Sequence, residues 1–254
     1  MEQVLRELRD DVVVLSLHRP QRMNALTGQM SAELTAVIEE ANADDTVGAI
    51  VITGSGRGFC AGADIEDAFS SQLSGEASMP HWQEWTHLVR SSKPMVAAVN
   101  GVAFGVGLSM ILPFDRIVAA HSARFSVRFV KMGLVPELAS TYFLPQRVGF
   151  GVASDLMLSG RTVDATEAFA LSLADELVAD DALLDAAVAR ARSYGENPRR
   201  QLGWIKQLLT TNASDPDIIG VQQREMALLL QCFESPEHRE AVTAFREKRA
   251  PRFR

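Results

Sequence analysis

Lys93-Pro94-Met95-Val96-Ala97-Ala98-Val99-Asn100-Gly101, continuing through Phe104-Gly105-Val106-Gly107-Leu108, is the stretch on which the reading of the fold turns. Met95–Val99 is a continuous apolar run, the form a strand takes when both its faces are covered. Asn100-Gly101 turns the chain out of that strand. The glycine-bearing segment Phe104–Ile111 then opens a buried helix, which Pro113 closes. Strand, glycine turn and helix in succession form the repeating unit of an α/β chain.

The same pattern recurs upstream. Ala49-Ile50-Val51-Ile52-Thr53 is a second buried strand, ending in Gly54-Ser55-Gly56-Arg57-Gly58, and Val12–Leu17 is a β-branched strand that His18-Arg19-Pro20 terminates. Between these two strands Met30, Leu34, Val37, Ile38 and Ala41 fall at helical spacing, with Thr27 placed to cap, so a helix is predicted over residues 28–43. The polar run Ser70–Glu76 reads as a mobile connection, followed by a helix through Trp82, Trp85, His87, Leu88 and Val89. Downstream, residues 116–119 and 124–127 are two more short strands. Beyond residue 150 strands are expected to give way to helices over 165–171, 181–194, 201–211, 221–233 and 236–248. The breaker Gly195-Glu196-Asn197-Pro198 divides the chain into an α/β core, residues 1–197, and a helical C-terminal subdomain, residues 198–254.

Composition narrows the chemistry. The chain has 254 residues, 47% hydrophobic and 22% charged, the usage of an ordinary globular domain. A formal net charge of −7 excludes the broad positive surface that nucleic-acid binding requires. Two cysteines, Cys60 and Cys232, are too few for a disulfide framework or a four-thiolate metal site. The five histidines include no pair at metal-binding spacing, so no metal is expected. Met1–Val13 lacks a basic region followed by an apolar one, and no apolar run approaches the ~20 residues of a spanning helix, so a cytoplasmic protein without membrane contact is expected. Gly54-Ser-Gly56-Arg-Gly58 and Gly105-Val-Gly107 both lack the third glycine of a dinucleotide-binding turn, and neither a P-loop nor a G-x-S-x-G elbow occurs.

Three segments in order, Gly58-Phe59-Cys60-Ala61-Gly62-Ala63-Asp64-Ile65, then Lys93–Gly107, then Gly133-Leu134-Val135-Pro136-Glu137, resemble the enoyl-CoA hydratase/isomerase (crotonase) family. The resemblance extends from Arg19-Pro20 and Asn24-Ala25-Leu26 to Ala244–Arg249. It implies a crotonase-like α/β spiral of ββα units capped by C-terminal helices, assembled as a homotrimer or a dimer of trimers. It also implies an acyl-CoA thioester as substrate, with coenzyme A arriving as part of that substrate and no separate cofactor.

An enolate forming at a thioester carbonyl needs donors aimed at its oxygen, and backbone N–H groups in glycine-rich turns supply them at no cost in side-chain entropy. By resemblance the donors are the amides of Ala63 and Val106. Valine stands where the family usually has glycine. Family hydratases carry two glutamates, at the positions held here by Ser109 and Phe129. Neither residue can accept a proton at neutral pH, which argues against water addition by two acids and gives Phe129 an acyl-lining role. Glu137 matches the place where family isomerases carry a single acid, and one carboxylate suffices to move a proton between two carbons. The alternative for Glu137 is a loop residue paired with Arg147. Resemblance further assigns Ala61, Asp64 and Ile65 to the substrate site, and Arg22 and Lys248 to the coenzyme A phosphates, the lysine reaching over from a neighbouring subunit. The expected activity is 3-enoyl-CoA to 2-enoyl-CoA isomerisation in fatty acid metabolism. The alternatives are a weak hydratase (a lyase), an isomerase of ring-derived acyl-CoA, and a non-catalytic acyl-CoA binder.

Overall fold

The computed structural model describes residues 2–67 and 84–253. Trp82 and the Ser70–Glu76 stretch, expected to be helical and mobile respectively, lie outside the described residues. The principal sheet has six strands: β1 (Val4–Arg9), β2 (Val12–Leu17), β3 (Ala49–Gly54), β4 (Met95–Val99), β6 (Arg116–Ala120) and β9 (Glu176–Val178), in the spatial order β1-β2-β3-β4-β6-β9. β1 meets β2 antiparallel, and every other pairing is parallel. A second sheet joins β5 (Val102–Phe104), β7 (Arg124–Ser126) and β8 (Val163–Asp164). β4 leads directly to β5, and β6 to β7. Each of these turns of chain therefore lays one strand in each sheet, as the spiral of ββα units requires.

Period-2 alternation explains how the principal sheet is buried on both sides. Val13, Leu15, Ile50, Ile52, Met95, Ala97 and Ile117 face one core, into which α1 (Gly28–Ala43) inserts Met30, Leu34, Ile38 and Ala41. Val12, Val14, Val51, Val96, Ala98 and Val118 face the other, which is closed by Leu183, Ala187, Val188 and Ala191 of a C-terminal helix. Each branched side chain so buried contributes roughly 1.5–3 kcal/mol of transfer free energy. The predicted span and cap of α1 hold: Thr27 accepts a hydrogen bond from the Met30 amide at 3.1 Å. The helix α2 (Trp85–Ser91) buries Trp85, whose indole N–H donates to the Met110 carbonyl at 2.9 Å. The helix opened by Gly105 is shorter than expected, since α3 covers only Val106–Ser109 and ends before Pro113.

Two expectations are corrected. β1 has no counterpart in the sequence reading, because Val4-Leu5-Arg6-Glu7-Leu8-Arg9 buries only Val4 and does not alternate. Strands also persist beyond residue 150. β8 pairs antiparallel with β7, and β9 extends the principal sheet through Val118↔Glu176 and Ala120↔Val178. These strands are two and three residues long, below the length at which periodicity can register, and main-chain pairing alone specifies them.

The helices of the second half are α4 (Ser140–Val148), α5 (Phe150–Ser159), α6 (Ala165–Ala170), α7 (Leu183–Gly195), α8 (Arg199–Asn212), α9 (Ile218–Phe233) and α10 (Pro236–Glu247). α7 is the helix that closes the second core, and Pro198 caps the start of α8. α8 returns to the core through one buried cation. Lys206 Nζ donates to the Asp115 carboxylate at 2.7 Å and to the carbonyls of Val89 and Lys93, while Arg90 Nη1 donates to the other Asp115 oxygen at 2.9 Å. Burial lowers the Lys206 pKa and the Asp115 charge opposes that shift. Among the described residues no helix is long and apolar enough to cross a membrane. Replacing Asp115 with Ala would strand two buried cations and also remove the acceptor of the Met95 amide. Asp115→Ala should therefore cost about 3–5 kcal/mol in urea unfolding, and a loss below 1 kcal/mol would show that Lys206 and Arg90 find other partners.

Candidate active site

Two backbone turns carrying Ala63 and Val106 are brought together by main-chain pairing. The amides of Phe59 and Cys60 both donate to the Val102 carbonyl, and the Phe104 amide donates to the Cys60 carbonyl at 3.0 Å. This forms a parallel bridge between Cys60 and Ala103, and Ala63 and Val106 each lie three residues beyond it. Gly62 has φ +112° and Gly105 φ +53°, so each candidate donor follows a residue in a conformation that favours glycine. Gly107 is required for a different reason. A Cβ there would sit 2.4 Å from the Cys60 carbonyl oxygen, and only a bare Cα lets the turns close. The Ala63 amide has no acceptor among the backbone bonds of the described residues, although both neighbours are held: Leu26 N–H donates to the Gly62 carbonyl and Asp64 N–H to the Leu26 carbonyl, each at 2.8 Å. Val106, as the first residue of α3, precedes every acceptor within its helix. Both amides are thus available to an external oxygen.

Glu137 follows the strand that borders the second turn. β5 pairs with β7 in the register Phe104↔Ser126, and the Gly105 amide donates to the Ser126 carbonyl, so the segments that lead to Val106 and to Phe129 leave adjacent strands. The Arg128 guanidinium stacks 5.1 Å from the centre of the Phe104 ring and ties the two segments together. Phe129 sits in the core, in a 3₁₀ turn over residues 128–132. Ser109 is fully buried, and its hydroxyl has no partner among the described residues. Glu137 is half-buried, and desolvation raises its pKa above the usual glutamate value. Arg147 is not its partner. That side chain is engaged by Asp175 at 3.2 Å and by the carbonyls of Leu112 and Phe114. Leu138 and Ala139, immediately after Glu137, have φ of +53° and +54°, a left-handed pair without glycine that costs about 1–3 kcal/mol per residue.

The remaining sequence assignments fall in different settings. Asp64 is directed inward: one carboxylate oxygen accepts from Arg19 Nη1 at 2.8 Å, and the other accepts from the amides of Glu66 and Asp67. Ala61 is half-buried, its N–H bonded to the Met23 carbonyl, and Ile65 is exposed. Arg22 lies on a 3₁₀ turn, Pro20–Arg22, and pairs with Glu66 at 2.9 Å on the surface. Lys248 is exposed at the end of α10 with φ +56°. Arg19 and Asn24 escaped the sequence reading as supports of the site. Asn24 is fully buried in a left-handed conformation, and its amide donates to the carbonyls of Ser55 and Gly58. The signal available for them was local: an arginine just before the proline that ends β2, and an asparagine, a type that tolerates φ > 0. The Cys60 thiol is buried and its pKa is pushed up to about 11, so it offers no nucleophile at neutral pH. Among the described residues no group of three or more His, Cys, Asp or Glu could hold a metal ion.

The enoyl-CoA hydratase/isomerase family model matches residues 7–254. The chain is 35% identical to the 1,2-epoxyphenylacetyl-CoA isomerase of Escherichia coli K12, with 100% of this chain and 98% of the relative covered. It is 31% identical to the 2,3-dehydroadipyl-CoA hydratase of the same organism, over 100% of this chain and 99% of the relative. The solved structure of an enoyl-CoA hydratase from Bacillus anthracis superposes with a TM-score of 0.91 at 26% identity, covering 99% of each chain. The paired glycine turns and the half-buried loop carboxylate therefore stand in a chain that belongs to the enoyl-CoA hydratase/isomerase, or crotonase, family of acyl-CoA enzymes.

Proposed function

We propose that this enzyme isomerises 3-enoyl-CoA to 2-enoyl-CoA, with Glu137 as its single acid–base group. One observation carries the reading: Glu137 is half-buried with its pKa raised by desolvation, while Ser109 and Phe129 offer no second acid. The thioester oxygen accepts from the Ala63 and Val106 amides. Glu137 takes the C2 proton, the C–H electron pair moves into the C1–C2 enolate, and the same carboxylic acid returns the proton to C4 as the double bond shifts to C2–C3. Atoms and charge balance without a co-reactant. Electrostatic stabilisation by two amides supplies most of the barrier lowering, since losing one comparable donor costs about 10²–10³ in rate. A pKa raised towards the working pH makes the carboxylate a better base for a weak carbon acid. Phe129 lines the acyl path beside the Ala61–Ile65 turn, and Arg22 and Lys248 serve the coenzyme A phosphates.

A second reading, isomerisation of a ring-derived acyl-CoA, is favoured by the 35% identity to the epoxyphenylacetyl-CoA isomerase. It uses the same donors and base. Exposed Ile205, Leu209, Met226, Leu229, Leu230, Phe233 and Phe245 on α8–α10 support a homotrimer or dimer of trimers.

Glu137→Gln keeps shape and removes the base, so conversion of 3-enoyl-CoA to the conjugated 2-enoyl thioester, followed by its ultraviolet absorbance, should fall by at least ~10². Undiminished turnover in this variant would remove Glu137 from the chemistry, and faster turnover of 2-enoyl-CoA to a hydroxyacyl product by the wild type would favour the hydratase. The same variant tests the electrostatics. Because the folded pKa is raised, the folded chain retains this proton at a pH where the unfolded chain has lost it, so stability declines as pH rises through the raised value. By calorimetry Glu137→Gln should melt above the wild type at about pH 8 and level with it near about pH 4. Equal melting temperatures throughout would mean that the carboxylate is solvated. Light scattering of the full chain should give three or six times the monomer mass, and a stable monomer would count against the assembly.

A further inference from the structure

We propose that Arg19 is a positioning residue for the first oxyanion donor, fixing the Ala63 amide through Asp64. The proposal rests on the oxyanion reading above and extends it to a residue that touches neither substrate nor reacting atoms.

The geometry is a clamp. Arg19 Nη1 donates at once to the Ala25 carbonyl at 2.6 Å and to Asp64 Oδ2 at 2.8 Å. The Arg19 backbone is fixed in turn, its N–H donating to Asn24 Oδ1 at 2.8 Å, while Asn24 donates to the Ser55 and Gly58 carbonyls. On the other side, Asp64 Oδ1 accepts from the amides of Glu66 and Asp67. Leu26 meets Ala63 in a parallel bridge, with Leu26 N–H on the Gly62 carbonyl and Asp64 N–H on the Leu26 carbonyl. One guanidinium nitrogen therefore joins residue 25 to residue 64, on the two strands of chain that meet at Ala63. The side chains of the pair are 17% and 8% exposed, so solvent screens the ion pair little. Burial opposes the Asp64 charge, yet the hydrogen bond from Arg19 and the two amides hold its pKa below the ordinary aspartate value.

The consequence is directional. Gly62 has φ +112°, and the conformational range of glycine means that its own backbone does not fix the peptide that bears the Ala63 N–H. That planar peptide also contains the Gly62 carbonyl, so the bond from Leu26 N–H to that carbonyl sets the direction of the Ala63 N–H, and the Leu26 carbonyl holds the next amide, of Asp64. The ion pair keeps the 24–26 segment from withdrawing. With the clamp released, the donor would retain its chemistry and lose its aim, and oxyanion stabilisation depends on aim more than ground-state binding does.

The test uses the full chain and a chromophoric probe, the CoA thioester of a para-amino-substituted cinnamate, whose absorbance moves to the red when its carbonyl is polarised. The wild type should show a red shift on binding. Arg19→Ala should bind the probe within about threefold of wild type yet lose at least half of the shift, and its isomerase kcat should fall about tenfold or more with KM nearly unchanged. Arg19→Lys keeps the charge without the planar fork, and should recover part of both signals. Should Arg19→Ala fail to fold, Asp64→Asn carries the same test, since its oxygen can still accept from the Glu66 and Asp67 amides while the ion pair is gone. A full red shift in whichever of these two variants folds would overturn the proposal, as would a raised KM at unchanged kcat. A wild-type complex without any red shift removes the oxyanion reading and this proposal with it. A wild type that shifts the probe but does not isomerise 3-enoyl-CoA removes the isomerase reading alone, and the clamp is then judged on the shift.

Discussion

The contact between the Cys60 carbonyl and the bare Cα of Gly107 is the constraint on which the site depends. The Phe104 amide already holds that carbonyl, so the two turns are locked at hydrogen-bonding distance by backbone alone. This register places two amides at equal remove in sequence from one bridge and leaves both without a backbone acceptor among the described residues. Backbone donors preorganised in this way would not have to be recruited during a reaction.

The second structural theme is solitude of charge. Desolvation raises the Glu137 pKa, whereas the arginines close to the core are committed elsewhere: Arg147 to Asp175, Arg90 to Asp115, Arg19 to Asp64. A carboxylate that acts as a base must avoid such pairing, because a guanidinium would stabilise its ionised form and weaken it as a proton acceptor. The left-handed pair Leu138–Ala139 follows Glu137 directly, a strained turn next to this carboxylate.

Much of this was legible in the sequence, for physical reasons that differ from element to element. The buried strands β2, β3 and β4 announce themselves because continuous Val, Ile and Ala runs have few other stable outcomes, and α1 does so because both its period and its cap are local. The site turns were legible through glycine, whose necessity at 62, 105 and 107 is a backbone property. What stayed hidden was determined at a distance. β1 and β9 exist because a neighbouring strand offers a ladder, and their own side chains carry almost no pattern. The role of Asp64 is invisible without Arg19, 45 residues away in sequence, and the isolation of Glu137 became evident only when Arg147 was seen bound to Asp175.

The two outer strands of the principal sheet bear on how the protein behaves in crowded solution. A parallel sheet this apolar would be a template for pairing with other chains if either margin were long and flat. One margin is β1, antiparallel to its neighbour and carrying Arg6, Glu7 and Arg9 along its length; the other is β9, only three residues long. Each margin is blunted by a different means, charge in one case and brevity in the other. The sheet thereby offers little template for intermolecular pairing, and the exposed large apolar side chains from Phe150 onward lie instead on helices, whose backbone hydrogen bonds are satisfied within themselves.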